Sequence, residues 1–243
     1  MSTAKPIVVY SLLGLNLACW IFLEITGGSQ DHHNLRRLGA IAFFEINRGE
    51  YWRLLTAMFL HIGAAHLAVN CLSLLIMGGI VERIFGKVRF SIVYLCAGLG
   101  GSAFSYATIP PTPYVAAGAS GAIFGCLGAL GGFFLLRRKD LGELGRQNLN
   151  AVLILAGINF VFGFIIPGID NWAHLGGFII GALVGIGLVP PMRETRSPIS
   201  MTIDRESRAT VANSVSRIWI YVSVLVAFFV FAIAIWVGNE RLY

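Results

Sequence analysis

The chain has 243 residues, of which 56% are hydrophobic and only 12% charged, with a mean hydropathy of +0.76. A soluble domain carries about a quarter charged residues, so this composition excludes one and points to a polytopic membrane protein. The net charge of +6 calls for no nucleic-acid partner, because basic loop residues facing anionic inner-leaflet lipids account for it.

A helix needs about 20 apolar residues to cross the hydrocarbon core. On that measure the sequence predicts an all-α, polytopic transmembrane bundle of seven spans, at residues 6–25, 62–81, 88–107, 119–137, 149–166, 172–190 and 218–237. The first span is read as retained, because its apolar run is long for a signal-peptide core and no small-residue cleavage site comes after it. An outer loop from Thr26 to Arg53 leads to the second span. Pro110, Pro111 and Pro113 mark the turn after the third, Pro167-Gly168 the turn after the fifth, and Pro190-Pro191 ends the sixth.

The expected organisation is a first span and the start of an outer loop over 1–50, and a core over 51–190 that the span at 6–25 completes. A linker rich in Ser, Thr and Arg comes next over 191–217, then an additional span over 218–243 with Trp219, Tyr221 and Trp236 near its ends. With the N-terminus inside, thirteen of the eighteen Lys and Arg residues fall on inner segments. The positive-inside bias therefore predicts N-in, C-out. Cys19, Cys71, Cys96 and Cys126 all lie in spans without paired spacing, as packing residues do, and no metal or cofactor is expected of them.

Polar groups inside hydrocarbon are functional-site hypotheses by default. Four interrupt these spans: His66 and Asn70 in H-L-A-V-N, Ser120 in G-A-S-G, and His174 in A-H-L-G-G. In the predicted topology the second, fourth and sixth spans all run from outside to inside, and all four residues fall near the outer ends. At about 1.5 Å per residue they share one level, a convergence the charge count did not require. His66 and Asn70 are one helical turn apart and share a face. Gly118, Gly121, Gly125 and Gly128 on the fourth span, and Gly177, Gly181 and Gly185 on the sixth, allow the close backbone approach that a Ser and a His on different helices need.

Together these residues spell a hydrolase. Ser120 would attack a carbonyl, His174 would take its proton and pass it to the leaving amine, and the first amides of the fourth helix would face the oxyanion. Asp170, one turn before His174, reads as a helix cap or a loop residue rather than a catalytic orienter.

The set H-I-G-A-A-H-L-A-V-N, G-A-S-G and A-H-L-G-G-F-I-I-G, with Trp52-Arg53 ahead of the second span and V-E-R-I-F-G after it, closely resembles the rhomboid intramembrane serine proteases over about residues 50–190. The resemblance implies Ser120 as nucleophile, His174 as general base, and the Ser120 amide, His66 and Asn70 as the oxyanion hole. It gives Gly118 a role in the tight approach to the nucleophile, with Gly121 and Gly177 in support. His61 matches a structural family histidine, and Phe124 occupies a position where the family often has a Tyr packed beside the base. Trp52-Arg53 resembles a pair that fixes the first outer loop at the membrane surface.

The resemblance also implies a substrate, a single-span membrane protein cut near the outer end of its transmembrane segment, within the lipid bilayer. Movement of the fifth span would admit it, eased by Gly157, Gly163 and Pro167-Gly168. The additional C-terminal span resembles that of family members with one helix beyond six, in a role of stability or substrate recruitment. A bacterial plasma membrane is the expected location.

Three rival readings remain at this point. Ser120 and the histidines could merely join helices by hydrogen bonds. A catalytically inactive rhomboid-like protein could bind transmembrane clients without cutting them. A transporter would show paired broken helices or inverted repeats near the midplane, and none is visible in the sequence.

Overall fold

The computed structural model describes residues 5–190, 225, 232–233 and 235–241. The linker at 191–217 and most of the expected seventh span therefore lie outside the described residues. Among the described residues, five helices are long and apolar enough to cross a membrane.

The first, α1 (Ile7–Thr26), starts without a side-chain cap of its own, and a distant residue supplies one. The buried Glu82 carboxylate accepts from Val8 N at 3.1 Å and Val9 N at 2.9 Å, a negative charge at the positive end of the helix dipole. The outer loop then folds into short pieces, α2 (His32–Arg37), β1 (Ile41–Ala42), α3 (Phe43–Asn47) and α4 (Arg53–Thr56). The buried Arg53 staples them together. Its guanidinium pairs with Glu50 at 2.7 Å and donates to the carbonyls of Arg36 and Ala40.

The second spanning helix, Ala64–Phe85, comprises α5 (Ala64–Ser73), a π turn over Leu74–Gly78, and α6 (Gly79–Phe85). A π turn inserts a residue into the helical ladder and resets the facing of the turns beyond it. Here it separates the half carrying His66 and Asn70 from the half carrying Glu82. Gly86, at φ +83°, reverses the chain at once into α7 (Lys87–Thr108).

The longest helix, α8 (Ser120–Ile165), has 46 residues, about 69 Å at the usual rise and more than twice the bilayer core. It does not run straight, because Gly142 leaves helical geometry at φ +57°, ψ −133°. The packing shows the reversal. Phe160 reaches back to Phe124 at 5.4 Å, and Val152 lies against Gly131. Residues 120–141 and 143–165 are thus antiparallel limbs, and the break expected between 137 and 149 is a single glycine. The helix α9 (Asn171–Leu188) closes the core.

The first limb of α8 sits at the centre, with every residue from Gly121 to Gly132 buried. It runs parallel to α9 and antiparallel to α7. A Cβ on Gly177 would overlap Gly121 O, one on Gly181 would overlap Gly125 O, and one on Gly101 would meet Ala173 O at 2.7 Å. These are backbone-to-backbone contacts, and in lipid such close packing supplies the attraction that hydrophobic burial cannot.

Candidate active site

The approach to Ser120 is braced from four directions. Strand β2 (Val115–Ala116) pairs antiparallel with β1, matching Ile41 with Ala116 and Ala42 with Val115. Gly118 N donates to Ala57 O at 2.9 Å, and Ala119 N donates to His61 Nε2 at 3.4 Å. The fourth brace is the His66 ring, which lies against Gly118. A Cβ there would meet His66 Cε1 at 2.7 Å and Nε2 at 3.0 Å, and at φ +146° the backbone also disfavours a side chain.

His61 is fully buried beside Ala119. Burial, reinforced by neighbouring His66, lowers the His61 pKa to about 4. The ring is therefore neutral near pH 7 and able to accept from the Ala119 amide. It also lies edge-on to His66, with ring centroids 5.4 Å apart.

Ser120 opens α8, and no side chain caps that helix start. Its first amides are free of intrahelical partners, and they point towards the end of the bundle where His66 packs. Ser120 and His66 are both half-buried. Asn70 is buried one turn below His66. Its Nδ2 donates to His66 O at 2.9 Å, and an amide nitrogen carries a second hydrogen.

His174 is held by stacking. Its ring lies on Phe124, with centroids 4.1 Å apart and planes within 10°, and Phe124 is one helical turn beyond Ser120 on the same face. The imidazole therefore stands beside the turn that begins with Ser120. No hydrogen bond joins the two residues among those described, and His174 Nδ1 has no partner. Gly121 and Gly177, both buried in the α8–α9 contact, allow the approach.

Of the cap and the loop residue that the sequence allowed, Asp170 is the cap. It accepts from Ala173 N at 2.9 Å and also from the Ser105 hydroxyl, which ties the end of α7 to the start of α9. Burial raises its pKa, partly offset by the Ser105 bond and the backbone amides. Ser105 itself had no mark in the sequence, since one hydroxyl in a small-residue helix announces nothing. Glu82 was visible only as part of V-E-R-I-F-G, and the backbone it caps is 73 residues away.

The polar residues of three spanning helices thus gather at one end of the bundle: Ser120 at the start of α8, His174 near the start of α9, and His66 and Asn70 on α5. A hydroxyl, an imidazole held in a fixed plane, uncapped helix amides and a carboxamide are the parts of an acyl-transfer site.

The Rhomboid domain model matches residues 48–191. The chain is 45% identical over 186 residues to the rhomboid protease GluP of Bacillus subtilis, which covers 76% of this chain and 36% of that protein. It is 38% identical over 155 residues to RHOMBOID-like protein 5 of Arabidopsis thaliana, covering 64% of this chain and 50% of that one. With YdcA of Bacillus subtilis it shares 34% identity over 186 residues, 73% of this chain and 88% of YdcA. The chain spans between 36% and 50% of the length of the first relatives it matches. Domain match, identities and apolar helices agree: this chain is an integral membrane protein and belongs to the rhomboid family.

Proposed function

We propose that the chain is an intramembrane serine endopeptidase that cuts single-span membrane proteins within or near their transmembrane segments, using Ser120 and His174 as a dyad. In this reading His174 removes the Ser120 Oγ proton as Oγ attacks the scissile carbonyl. The Ser120 amide, His66 and the second Nδ2 hydrogen of Asn70 donate to the oxyanion. Collapse of the tetrahedral intermediate passes the proton from His174 to the leaving amine, and a water then hydrolyses the acyl-enzyme by the same route.

One observation carries the reading: the stacking of His174 on Phe124, which holds the imidazole beside the turn of α8 that opens with Ser120. The ring needs no carboxylate to orient it, because the stack fixes its plane and Asp170 is engaged as a cap. The missing Ser120–His174 hydrogen bond fits a resting enzyme, since catalytic bonds tighten on substrate binding. It is also the one observation that favours the second reading, a catalytically inactive relative that only binds transmembrane clients.

An intact helix hides its carbonyls, so substrates with helix-weakening residues near the cut are favoured. The second limb of α8, residues 143–165, is the element whose displacement would admit them. Peptide-bond cleavage near the outer surface of a bacterial plasma membrane, with the N-terminus cytoplasmic and the C-terminus outside, completes the proposal.

The test uses purified protein in liposomes with a labelled single-span substrate carrying Gly or Pro near its outer end. Wild type cuts it, and Ser120→Ala and His174→Ala each lower kcat by at least about a thousandfold. Binding without cleavage by the wild type, across several such substrates, supports the client-binding reading instead.

A further inference from the structure

Residues 235–240 are helical and end the described chain with Arg241, and their contacts fall on two other parts of the molecule. Tyr106 OH, on the last turns of α7, donates to Asn239 Oδ1 at 2.7 Å, while Asn239 Nδ2 donates to Tyr51 OH in the outer loop at 3.2 Å. Arg241 donates to Ala107 O at 2.8 Å and to Ile109 O at 2.7 Å, occupying carbonyls at the C-terminal end of α7 that otherwise lack intrahelical partners. Its guanidinium also lies 5.8 Å from the Phe43 ring of the outer loop, within cation–π range. Gly238 packs so closely on the Tyr106 ring that a Cβ would overlap it.

Both anchor points lead to the candidate site. Phe43 directly succeeds β1, which pairs with β2, and β2 runs through Gly118 to Ser120. Tyr106 is the neighbour of Ser105, which bonds Asp170, the cap of the helix carrying His174.

We propose that Asn239 and Arg241 act as positioning residues, forming a C-terminal clamp that fixes the outer loop against the end of α7 and so holds the separate supports of Ser120 and His174 in register. This rests on the protease reading above for its consequence, though not for the clamp itself. The contacts carry it: a side-chain amide shared between two tyrosines, and an arginine that spans a helix end and an aromatic ring, reinforce a junction where Asn47 Nδ2 donates to Tyr106 OH at 3.5 Å and the Phe43 and Tyr106 rings lie 5.6 Å apart.

The test compares the full chain in detergent with Arg241→Ala, Asn239→Ala, Arg241→Lys and the exposed control Glu240→Ala. Hydrogen exchange at residues 43–51 and 106–110 reads the clamp, and kcat and KM on the single-span substrate read its consequence. Arg241→Ala and Asn239→Ala should raise exchange in both segments about tenfold, as expected for losing charged or paired hydrogen bonds. They should also lower kcat about threefold or more, as misplacement does, with little change in KM. Arg241→Lys should recover most of both effects, and Glu240→Ala should match wild type. Unchanged exchange in the alanine variants overturns the clamp, and raised exchange with unchanged kcat overturns its positioning role. If the wild type cuts nothing, the protease reading has failed, and the exchange measurement still decides whether the clamp exists.

Discussion

The two limbs of α8 come from one helical stretch joined at Gly142, yet they meet their surroundings differently. Residues 121–132 are buried without interruption, packed backbone to backbone through Gly121, Gly125 and Gly128. The return limb buries only Gly145, Val152, Ala156 and Gly163, one residue every one or two turns, and leaves Ile154, Val161, Phe162 and Phe164 exposed. The first limb carries Ser120 and Phe124. The second is apolar enough for lipid but is held along a single seam. Backbone contacts cannot slide without overlap, whereas a seam of side chains can part, as the proposed entry of substrate past the return limb requires.

Alanine in place of glycine distinguishes the limbs most sharply. At Gly177 of α9 the new methyl would overlap Gly121 O of the first limb, whereas at Gly157 of the return limb there is nothing within 4 Å. Gly177→Ala should therefore destabilise by about 3 kcal/mol or more, and Gly157→Ala should be neutral or stabilising by up to about 1 kcal/mol. Unfolding in mixed detergent micelles measures both. Equal losses at the two positions would erase the distinction.

The Phe124–Phe160 contact sharpens it, because one ring belongs to each limb. Phe124→Ala removes the surface that orients His174 and should lower kcat about tenfold or more. Phe160→Ala loosens only the return limb and should raise kcat/KM for a single-span substrate about two- to threefold, with labelling of Ser120 by a small reagent unchanged. A similar loss of kcat in both variants would show that the return limb also positions the base, rather than admitting substrate.

The smallest expected effect concerns the brace ahead of the first limb. Buried His61 has its pKa lowered to about 4 from the ordinary 6.5. The unfolded chain therefore binds the proton first as pH falls, and the stability present above about pH 6.5 is lost progressively towards pH 4. His61→Gln, which can still accept from Ala119 N, should flatten this part of the decline. Thermal unfolding from pH 7 to pH 4 would reveal it, and parallel curves for variant and wild type would deny His61 its part.

Much of this arrangement is legible in the sequence for a physical reason. Hydrocarbon penalises polar groups, so Ser120, His174, His66 and Asn70 stand out against their spans, and small-residue spacing announces which helices approach closely. Asp170 is readable as a cap because a cap lies at a set distance from its helix. The features that escape notice depend on partners far apart in the chain. The two-residue strands β1 and β2 are too short to carry a pattern, and the Ala119–His61 bond joins residues 58 positions apart. The turn within α8 also differs from the expected loop. Residues 137–147 combine Arg, Lys, Asp, Glu and Gln, all compatible with a helix at the membrane surface, so helical geometry persists on both sides and only Gly142 departs from it.

The proposed protease depends above all on Ser120 being a nucleophile activated by His174. A fluorophosphonate reacts with an activated serine without requiring substrate entry, so labelling mapped by mass spectrometry tests that claim apart from the gate, the clamp and the choice of substrate. The expected result is an adduct on Ser120 alone in the folded wild type, and labelling at least about a hundredfold slower in folded His174→Ala. Equal labelling rates in wild type and His174→Ala, or an adduct on another serine, would contradict it.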